Sequence, residues 1–531
     1  MSLEKDENFN KEDIIGRLKD KGKDGNRMIT YVEFLFSPAV QMLMSVLNLK
    51  FIFKRGRPAY DRTKLYGIFM YAYDQNVYTL TGVARLCRTD EVLKCFTNGI
   101  TPSPNCLDDF LRKSNSCVMK AIFICTLVEL NDLGYLDFRR IYCDSTDAKI
   151  NGSVNYKVKL KDLECFKLLN KWNLLHNGKV EKMNKNRKKL EKLLKEYEND
   201  EEMVKNIKHI LKHYNLYRKT AYRKYDELEK YLKDDPDGYV CVMFPEARFM
   251  KTKKGRFEFA LLVQQCMLRK GIILSGLLQR KPNDESVLDE IILDLKETFK
   301  ILEQLQKYYG ERSNYKEIRN ALEVTIMILD SGYFTRNNLE AAYDNNLNVL
   351  IMPRLIARRI NDKLRGKQFQ DVDYLMEEKI DKVTKKHADV TNKGYICPNG
   401  IHSEDCFEKE INSEFNRLRE GQPEEFKEVS YNFEFDCPPD CPLNDICTIN
   451  PIEDRMTPLE RDMISKLSNK RYQKIYSERF SANEQIFGHF KGLIEIIKLL
   501  GSDQTASQNH LYIMNTCYNL GRKVSLKGTA Y

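Results

Sequence analysis

The sequence predicts an α/β protein with a β-sheet of mixed direction, and the order of its apolar patterns carries that prediction. Before about residue 135, apolar residues recur at helical spacing, whereas after residue 257 strand-length apolar runs alternate with amphipathic helices. The first two runs have a hairpin pattern and the later ones are separated by helices, so antiparallel and parallel pairs are both expected. A chain of 531 residues, 42% of them hydrophobic, is long enough to bury a full core.

The N-terminal part is predicted to be a helical domain over residues 1–138. Leu65, Ile68, Phe69 and Tyr73 fall on one face of a helix. No run of about 20 apolar residues occurs anywhere in the chain, so no membrane span is expected. The opening residues lack the layout of a secretory signal, and the 15 cysteines, an odd number, are expected to be reduced thiols in a cytoplasmic protein.

The positive charge of the chain is concentrated in one segment. Of the 87 Lys+Arg and 77 Asp+Glu residues, 22 and 12 lie within residues 151–233, so the whole surplus of ten falls there. A helical insertion is predicted over about 157–235, where long stretches lack Gly and Pro. Two interpretations stay open, a solvated helical hairpin or a surface for the phosphate backbone of a nucleic acid. The candidate phosphate contacts are Lys185, Arg187, Lys188 and Lys189.

The strands of the sheet are predicted on either side of this insertion. The predicted strands are residues 140–144, 257–267, 271–278, 324–330 and 348–353, with helices at 284–305 and 336–343. Residues 361–470 are polar and have little periodicity, so we interpret them as a second insertion. The core is therefore predicted to comprise residues 139–360 and 471–531.

Two aspartates are predicted at the ends of apolar strands. Asp144 follows Ile-Tyr-Cys, and Asp330 follows Thr-Ile-Met-Ile-Leu. Ligands of open α/β sheets bind at the carboxyl edge of the strands, but an Asp there is also a common helix N-cap. If the two strands are neighbours, the carboxylates together suit a hard divalent ion such as Mg²⁺.

A third acid is predicted on a helix near the C-terminal end. Glu484 lies four residues after Phe480 and three before Phe487, which places it beside the apolar side of a helix rather than on the solvated side. The alternative is an acid favoured by the dipole at a helix N-terminus. Arg479 and Lys491 flank Glu484 and are candidates for binding phosphates.

Several cysteines of the second insertion form a patch. Their spacing is wider than that of common zinc ribbons, so two interpretations stay open, a structural Zn²⁺ site or unligated thiols. The candidate ligands are Cys437, Cys441 and Cys447, with Cys397 as the fourth and Cys406 or His402 as alternatives to it.

Three acidic motifs of the chain resemble those of bacterial insertion-sequence transposases of the DDE type. They are Asp144-Ser-Thr-Asp-Ala-Lys-Ile-Asn, Ile-Leu-Asp330-Ser-Gly-Tyr-Phe and Glu484-Gln-Ile-Phe-Gly-His-Phe-Lys. More narrowly, Gly56-Arg-Pro-Ala-Tyr and Thr101-Pro-Ser-Pro are similar to the InsH-like N-terminal domain of one group. The stretch from Ala247 through Gln264 to Asp284, and the late cysteine patch, are also similar to that group.

The resemblance implies a ribonuclease-H-like catalytic core whose metal ligands are Asp144, Asp330 and Glu484. The ions implied are Mg²⁺ or Mn²⁺, two of which stabilise the attacking and leaving oxygens of phosphodiester cleavage. The sequence departs from the family at Leu262 and Leu268, where relatives often carry polar residues. We interpret these two leucines as core substitutions.

The expected function is therefore a transposase that cleaves at the terminal inverted repeats of its own element and joins the ends to target DNA. The N-terminal helices, with Arg55 and Arg57, are expected to recognise double-stranded DNA, and the protein to act as a homodimer on it. Two alternatives remain, a non-catalytic DNA-binding protein derived from such an element and a metal-dependent nuclease without strand transfer.

Overall fold

A computed structural model gives the fold of the chain. The residues that it describes are 9–52, 59–150, 157–160, 162–174, 180–213, 225–234, 237–252, 255–281, 283–354, 356–357, 372–377, 379–391, 393–479 and 498–528.

In the described chain a run of helices comes before the first strand, and groups of strands and helices follow it. The helices are α1 (Lys11–Leu18), α2 (Gly22–Leu35), α3 (Pro38–Ile52), α4 (Arg62–Asp74), α5 (Leu80–Thr89), α6 (Glu91–Thr97), α7 (Pro104–Lys113), α8 (Ser116–Asp132), α9 (Asp162–Lys171), α10 (Val180–Glu196), α11 (Glu201–Lys212), α12 (Tyr225–Asp234), α13 (Leu288–Tyr309), α14 (Tyr315–Arg319), α15 (Ala321–Val324), α16 (Arg336–Asp344), α17 (Val372–Glu377), α18 (Glu414–Arg417), α19 (Pro458–Ser468) and α20 (Gln504–Leu526). Residues 470–479 are also helical. The strands are β1 (Arg140–Ile150), β2 (Lys157–Val158), β3 (Val240–Cys241), β4 (Phe244–Lys251), β5 (Phe257–Leu268), β6 (Ile272–Gln279), β7 (Ile326–Leu329), β8 (Asn348–Ile351), β9 (Asp389–Val390), β10 (Tyr395–Ile396), β11 (Ser403–Glu410), β12 (Val429–Phe435), β13 (Ile452–Met456) and β14 (Lys498–Leu499).

The N-terminal helices α1–α8 confirm the helical prediction for this part of the chain. Polar residues at their starts accept hydrogen bonds from backbone N–H groups of the first turn, as Thr79, Asp90 and Ser103 do for α5, α6 and α7. Pro104 at the first position of α7 explains why the Pro-containing stretch begins a helix rather than breaking one.

The main sheet is mixed, as predicted, and β1 lies at its centre. β5 pairs with β1 antiparallel, β6 pairs with β5 antiparallel, and β7 and β8 continue on the other side in parallel. β14 pairs with β1 in parallel beyond the end of β7. The strands β2, β3 and β4 extend the sheet from the first half of β5.

Two predicted boundaries that bear on the candidate site were wrong. Asp144 lies inside β1 and not at its end, because β5 continues to pair with β1 as far as Lys149. The helix predicted from residue 284 begins only at Leu288, because the side-chain oxygen of Asn338 accepts hydrogen bonds from the N–H groups of Val287 and Leu288 at 3.1 Å each. Asp284 is thereby left in the loop between β6 and α13.

One hydrophobic core joins the N-terminal helices to the sheet. It extends from Ile14 in α1 to Leu520 in α20 and includes buried residues of β1, β5 and β7. Helix α8 packs against both α13 and α20, and the Lys120 ammonium of α8 contacts Asp294 at 2.8 Å and Glu297 at 2.6 Å on α13. The helices before residue 138 therefore share their packing with the rest of the chain.

The basic segment has a small core of its own. Leu169, Leu190, Ile210 and Leu228 are buried together, one from each of the helices α9–α12. The four helices confirm the helical prediction for the described part of the segment.

The described part of the second insertion is more ordered than its weak periodicity suggested. It forms a three-stranded antiparallel sheet, β11-β12-β13, and the short pair β9 and β10. A separate core including Tyr395, Phe433 and Ile452 supports this region.

Within the described residues, no helix taken singly has the length and apolar character needed to cross a bilayer. The bent pair formed by residues Gly22–Leu35 and Pro38–Leu49 meets those criteria only when both helices are counted together.

Candidate functional site

The structure brings two of the three predicted acids together at the centre of the sheet. Cys143 of β1 is in register with Leu329 of β7, so the next residues, Asp144 and Asp330, follow at the same level of two parallel neighbours. β7 ends at Leu329, and β14 joins β1 only at Lys149. The two carboxylates therefore lie together at the carboxyl end of β7. Asp144 is on the part of β1 that lies between the residues paired with β7 and those paired with β14.

A single guanidinium contacts both acids. Nη2 of Arg479 lies 3.1 Å from Oδ2 of Asp144 and 3.6 Å from Oδ2 of Asp330. Burial lowers the pKa of Arg479, but Asp144, Tyr476 and Asp330 outweigh that effect and raise it above its ordinary value. One positive charge is thus shared between one oxygen of each carboxylate.

The remaining oxygens of both aspartates are held by the backbone. Oδ1 of Asp144 accepts a hydrogen bond from the Ser145 N–H at 2.8 Å, and Oδ1 of Asp330 accepts one from the Gly332 N–H at 2.8 Å. Asp330 thus also has the capping role that was considered as its alternative, at the start of a short 3₁₀ turn over Ser331–Tyr333. Capping through Oδ1 leaves Oδ2 of Asp330 directed to Arg479, so the capping role occupies only one of the two oxygens.

Asp284 is a third acid beside the pair. Its Oδ2 accepts a hydrogen bond from the Ser145 hydroxyl at 2.8 Å, and its Oδ1 accepts one from Nε2 of Gln264 at 2.8 Å. Gln264 faces Ser145 across β1 and β5, and its carbonyl accepts a hydrogen bond from the Tyr333 hydroxyl. Asp284 and Gln264 lie in the stretch that resembles the family, but neither was predicted to have a role in the site.

The network around Tyr333 is buried and acidic. Burial, followed by the charges of Asp284 and Asp144, raises the pKa of Tyr333 well above its ordinary value, so its hydroxyl stays protonated and donates. A Cβ at Gly332 would lie 3.0 Å from Oδ1 of Asp330 and 3.2 Å from Oδ2 of Asp284. Glycine therefore lets the turn approach both carboxylates.

The helix that carries Arg479 is fixed to the central strand. Oε2 of Glu478 accepts a hydrogen bond from Arg140 and another, at 3.3 Å, from the Tyr142 hydroxyl. Because Arg140 and Tyr142 are on β1, these contacts hold Arg479 over the two aspartates. Arg479 was predicted to bind phosphates, and in the structure its guanidinium is engaged by the acids.

Several predicted site residues lie outside the described residues. They are Glu484, Lys491, Arg55 and Arg57. The four basic candidates on α10 are described, and all are exposed: Lys185, Arg187, Lys188 and Lys189.

The four cysteines predicted as zinc ligands line one cavity of about 20 Å³. Three of them, Cys397, Cys441 and Cys447, are partly buried and Cys437 is exposed. Burial raises the pKa of the Cys397 and Cys437 thiols, and the neighbouring cysteines raise it further.

Among the described residues, no group of three or more His, Cys, Asp or Glu side chains stands ready to hold a metal ion. Asp144 and Asp330 supply only two acids, and the third predicted ligand, Glu484, is outside the described part. No family model, curated protein or solved structure matches the chain.

Proposed function

We propose that this chain is a DNA transposase of the DDE type, which cleaves at the terminal inverted repeats of its own element and joins the ends to target DNA. The observation that carries the proposal is the pair Asp144 and Asp330 on neighbouring parallel strands. The guanidinium of Arg479 is shared between these two carboxylates. Two carboxylates that already share a positive charge are suited to share a divalent ion.

The topology supports a ribonuclease-H-like core. Along the sheet the order is β6-β5-β1-β7-β8, and β5 alone of these five runs against the others. This mixed order is compatible with the ribonuclease-H-like fold that the resemblance implies.

The position of Glu484 in the chain supports its role as the third acid. Glu484 follows Arg479 by five residues, which span at most about 18 Å when fully extended. Arg479 contacts Asp144, and β14, after Glu484, pairs with Lys149 and Ile150 of the same strand. The described residues on either side of Glu484 in the chain, Arg479 and strand β14, thus both contact the strand that carries Asp144.

In this proposal, Asp144, Asp330 and Glu484 bind Mg²⁺ or Mn²⁺. Such ions supply Lewis-acid stabilisation of the attacking and leaving oxygens in phosphodiester cleavage. The chain itself provides the carboxylates, the backbone N–H groups that orient them, and the Asp284–Gln264–Tyr333 network that fixes the loop beside them. Arg479, once displaced from the acids, is positioned to contact a phosphate.

DNA is the partner that the charge distribution favours. The basic segment, through its exposed lysines on α10, contacts the phosphates of the DNA backbone. The N-terminal helices, with Arg55 and Arg57, recognise the DNA sequence of the repeats. Action at two ends of an element favours a homodimer, which gives each end its own catalytic site.

Cleavage of a labelled duplex that carries the inverted repeats flanking the gene tests this proposal. Asp144→Asn, Asp330→Asn and Glu484→Gln should each reduce cleavage to background in Mg²⁺, because each removes a ligand charge. Asp289→Asn, at an exposed acid of α13, is the matched control and should cleave like the native protein. Circular dichroism should confirm that all four variants are folded.

The products separate the three functions that remained open. Joined product with target DNA supports a transposase, whereas cleavage without joining identifies a nuclease. Binding of the repeats without cleavage by the native chain would identify a non-catalytic DNA-binding protein. Native-rate cleavage by Glu484→Gln would refute the assignment of the third acid.

A further inference from the structure

The cysteine patch combines features that the proposed DNA chemistry does not use. Cys397 follows β10, Cys437 and Cys441 lie in the loop after β12, and Cys447 forms an isolated bridge with Val383. Four cysteines from segments far apart in the chain thus line one cavity of about 20 Å³. The other lining residues are mostly apolar.

Side-chain amide groups are directed at two of the four sulfur atoms. Nδ2 of Asn399 lies 3.5 Å from Sγ of Cys441, and Nδ2 of Asn450 lies 3.6 Å from Sγ of Cys437. Donors of this kind stabilise thiolates, the form in which cysteine binds metals, and they resemble the outer-shell hydrogen bonds of metal sites.

The backbone around the cavity is held in place without the thiols. The Cys397 N–H donates to the Ile401 carbonyl at 2.8 Å, and the Gly400 N–H donates to the Cys397 carbonyl at 2.9 Å, which closes a tight loop. On the opposite side, the N–H of Val383 donates to the Ile446 carbonyl at 2.8 Å and the N–H of Thr448 to the Val383 carbonyl at 2.9 Å. We therefore expect rotation of the cysteine side chains alone to bring the sulfurs toward a common point.

We propose that Cys397, Cys437, Cys441 and Cys447 bind one structural Zn²⁺ ion. Four thiolates in a closed tetrahedral set form a structural zinc site. In the described part of the chain, no three Cys, His, Asp or Glu side chains are already arranged as metal ligands. Zinc binding therefore includes that rotation of the cysteine side chains and the loss of the thiol protons.

The site would fasten a loop that lacks regular secondary structure. The buried cluster around Phe433 and Ile452 is small, and the loop from Asp436 to Asn450 has no regular strand or helix in the structure. A metal ion that links this loop to Cys397 stabilises such a region because its binding free energy adds directly to folding. The proposal does not depend on transposase activity, because none of the acids of the central sheet is involved.

Metal analysis of the purified full-length protein tests the proposal. We expect about one zinc per native chain. Cys437→Ser, at the exposed thiol, and Cys441→Ser should lose it. The control Cys406→Ser changes a partly buried cysteine of the same region that does not line the cavity, and it should keep the zinc. Native protein without zinc, or Cys437→Ser with full zinc, would overturn the proposal.

A second measurement keeps the test valid if a variant fails to fold. Native protein stripped with a chelator and refilled with Co²⁺ should show the intense thiolate-to-cobalt charge-transfer absorption and the visible bands of tetrahedral cobalt. Stoichiometric Zn²⁺ should remove that absorption. Cobalt bands typical of octahedral oxygen ligands, or no bound cobalt, would contradict a four-thiolate site.

Discussion

Replacement of Arg479 by Met tests whether its guanidinium and a divalent ion compete for the same two aspartates. The side chains of Arg479 and Asp144 are each 12% exposed, and that of Asp330 is 32% exposed. Removal of one partner from a buried ion pair leaves an uncompensated charge and costs about 3–5 kcal/mol. We therefore expect Arg479→Met to be less stable than the native protein in a buffer that contains a chelator.

The size of the effect follows from the length of the chain. With an unfolding entropy of about 2.1 cal/mol/K per residue, a chain of this length that unfolds as one unit has about 1.1 kcal/mol/K. The loss of 3–5 kcal/mol then lowers Tm by about 3–5 °C. Mg²⁺ at about 100 times its Kd should restore about 2.7 kcal/mol to the variant, or roughly 2–3 °C. The native protein should gain less, because Arg479 must first leave the acids.

Thermal unfolding followed by circular dichroism, with chelator and then with increasing Mg²⁺, measures both effects. Arg479→Lys retains a positive charge and should lie between the native protein and Arg479→Met. Arg471→Met, at an exposed position of the same helix, should behave like the native protein. The reasoning fails if Arg479→Met melts with the native protein in chelator, or if Mg²⁺ raises both Tm values equally.

Three further predictions concern DNA binding and pH. If α10 contacts the DNA backbone, replacement of its four basic candidates by Gln should flatten the slope of log affinity for the inverted repeats against log salt concentration. The slope should change by about 0.9 per lost contact, or about 3.6 for all four. An unchanged slope would mean that the segment is a scaffold that does not contact DNA. The four candidates are Lys185, Arg187, Lys188 and Lys189. In the full chain, Arg55→Gln with Arg57→Gln should weaken the footprint on the repeats more than binding to random DNA, and an equal loss on both would place specificity elsewhere. Burial lowers the pKa of His510 from 6.5 to about 3, so below pH 6.5 the unfolded chain gains a proton that the folded chain excludes. Native stability should therefore fall by about 2 kcal/mol between pH 7 and pH 5, and His510→Met should lack that part of the fall in urea unfolding.

Local patterns were sufficient to predict much of this fold. The hairpin of β5 and β6, the strands β7 and β8, and the helices α13 and α16 were all predicted from apolar spacing, because each buries one face or lies fully inside. The central position of β1 was not predicted. It depends on pairing with strands more than a hundred residues away, and local periodicity holds no information on such register.

The site was predicted in part for the same reason. Asp144 and Asp330 were predicted because an acid after an apolar run is unusual in a local pattern. The contact of Asp284 with Ser145 and Gln264 depends on three separate elements, and sequence spacing alone does not reveal it. Arg479 was predicted as a phosphate contact from its charge, but its burial against two carboxylates is a tertiary property.

The continuity of the core has a consequence for how DNA would be cut at a fixed distance from its recognition sequence. Helix α8 and strand β1 are separated by only seven residues, and contacts cross between the two parts of the fold. Nδ2 of Asn519 on α20 donates to Thr126 of α8 at 3.1 Å, and Lys120 pairs with α13 in a buried position. If the N-terminal helices hold the inverted repeat, the repeat is therefore placed relative to Asp144 by a packed interface and not by a tether. The position of cleavage should then depend on this interface, because a rigid connection fixes the distance between the bound repeat and the phosphodiester bond that is cut.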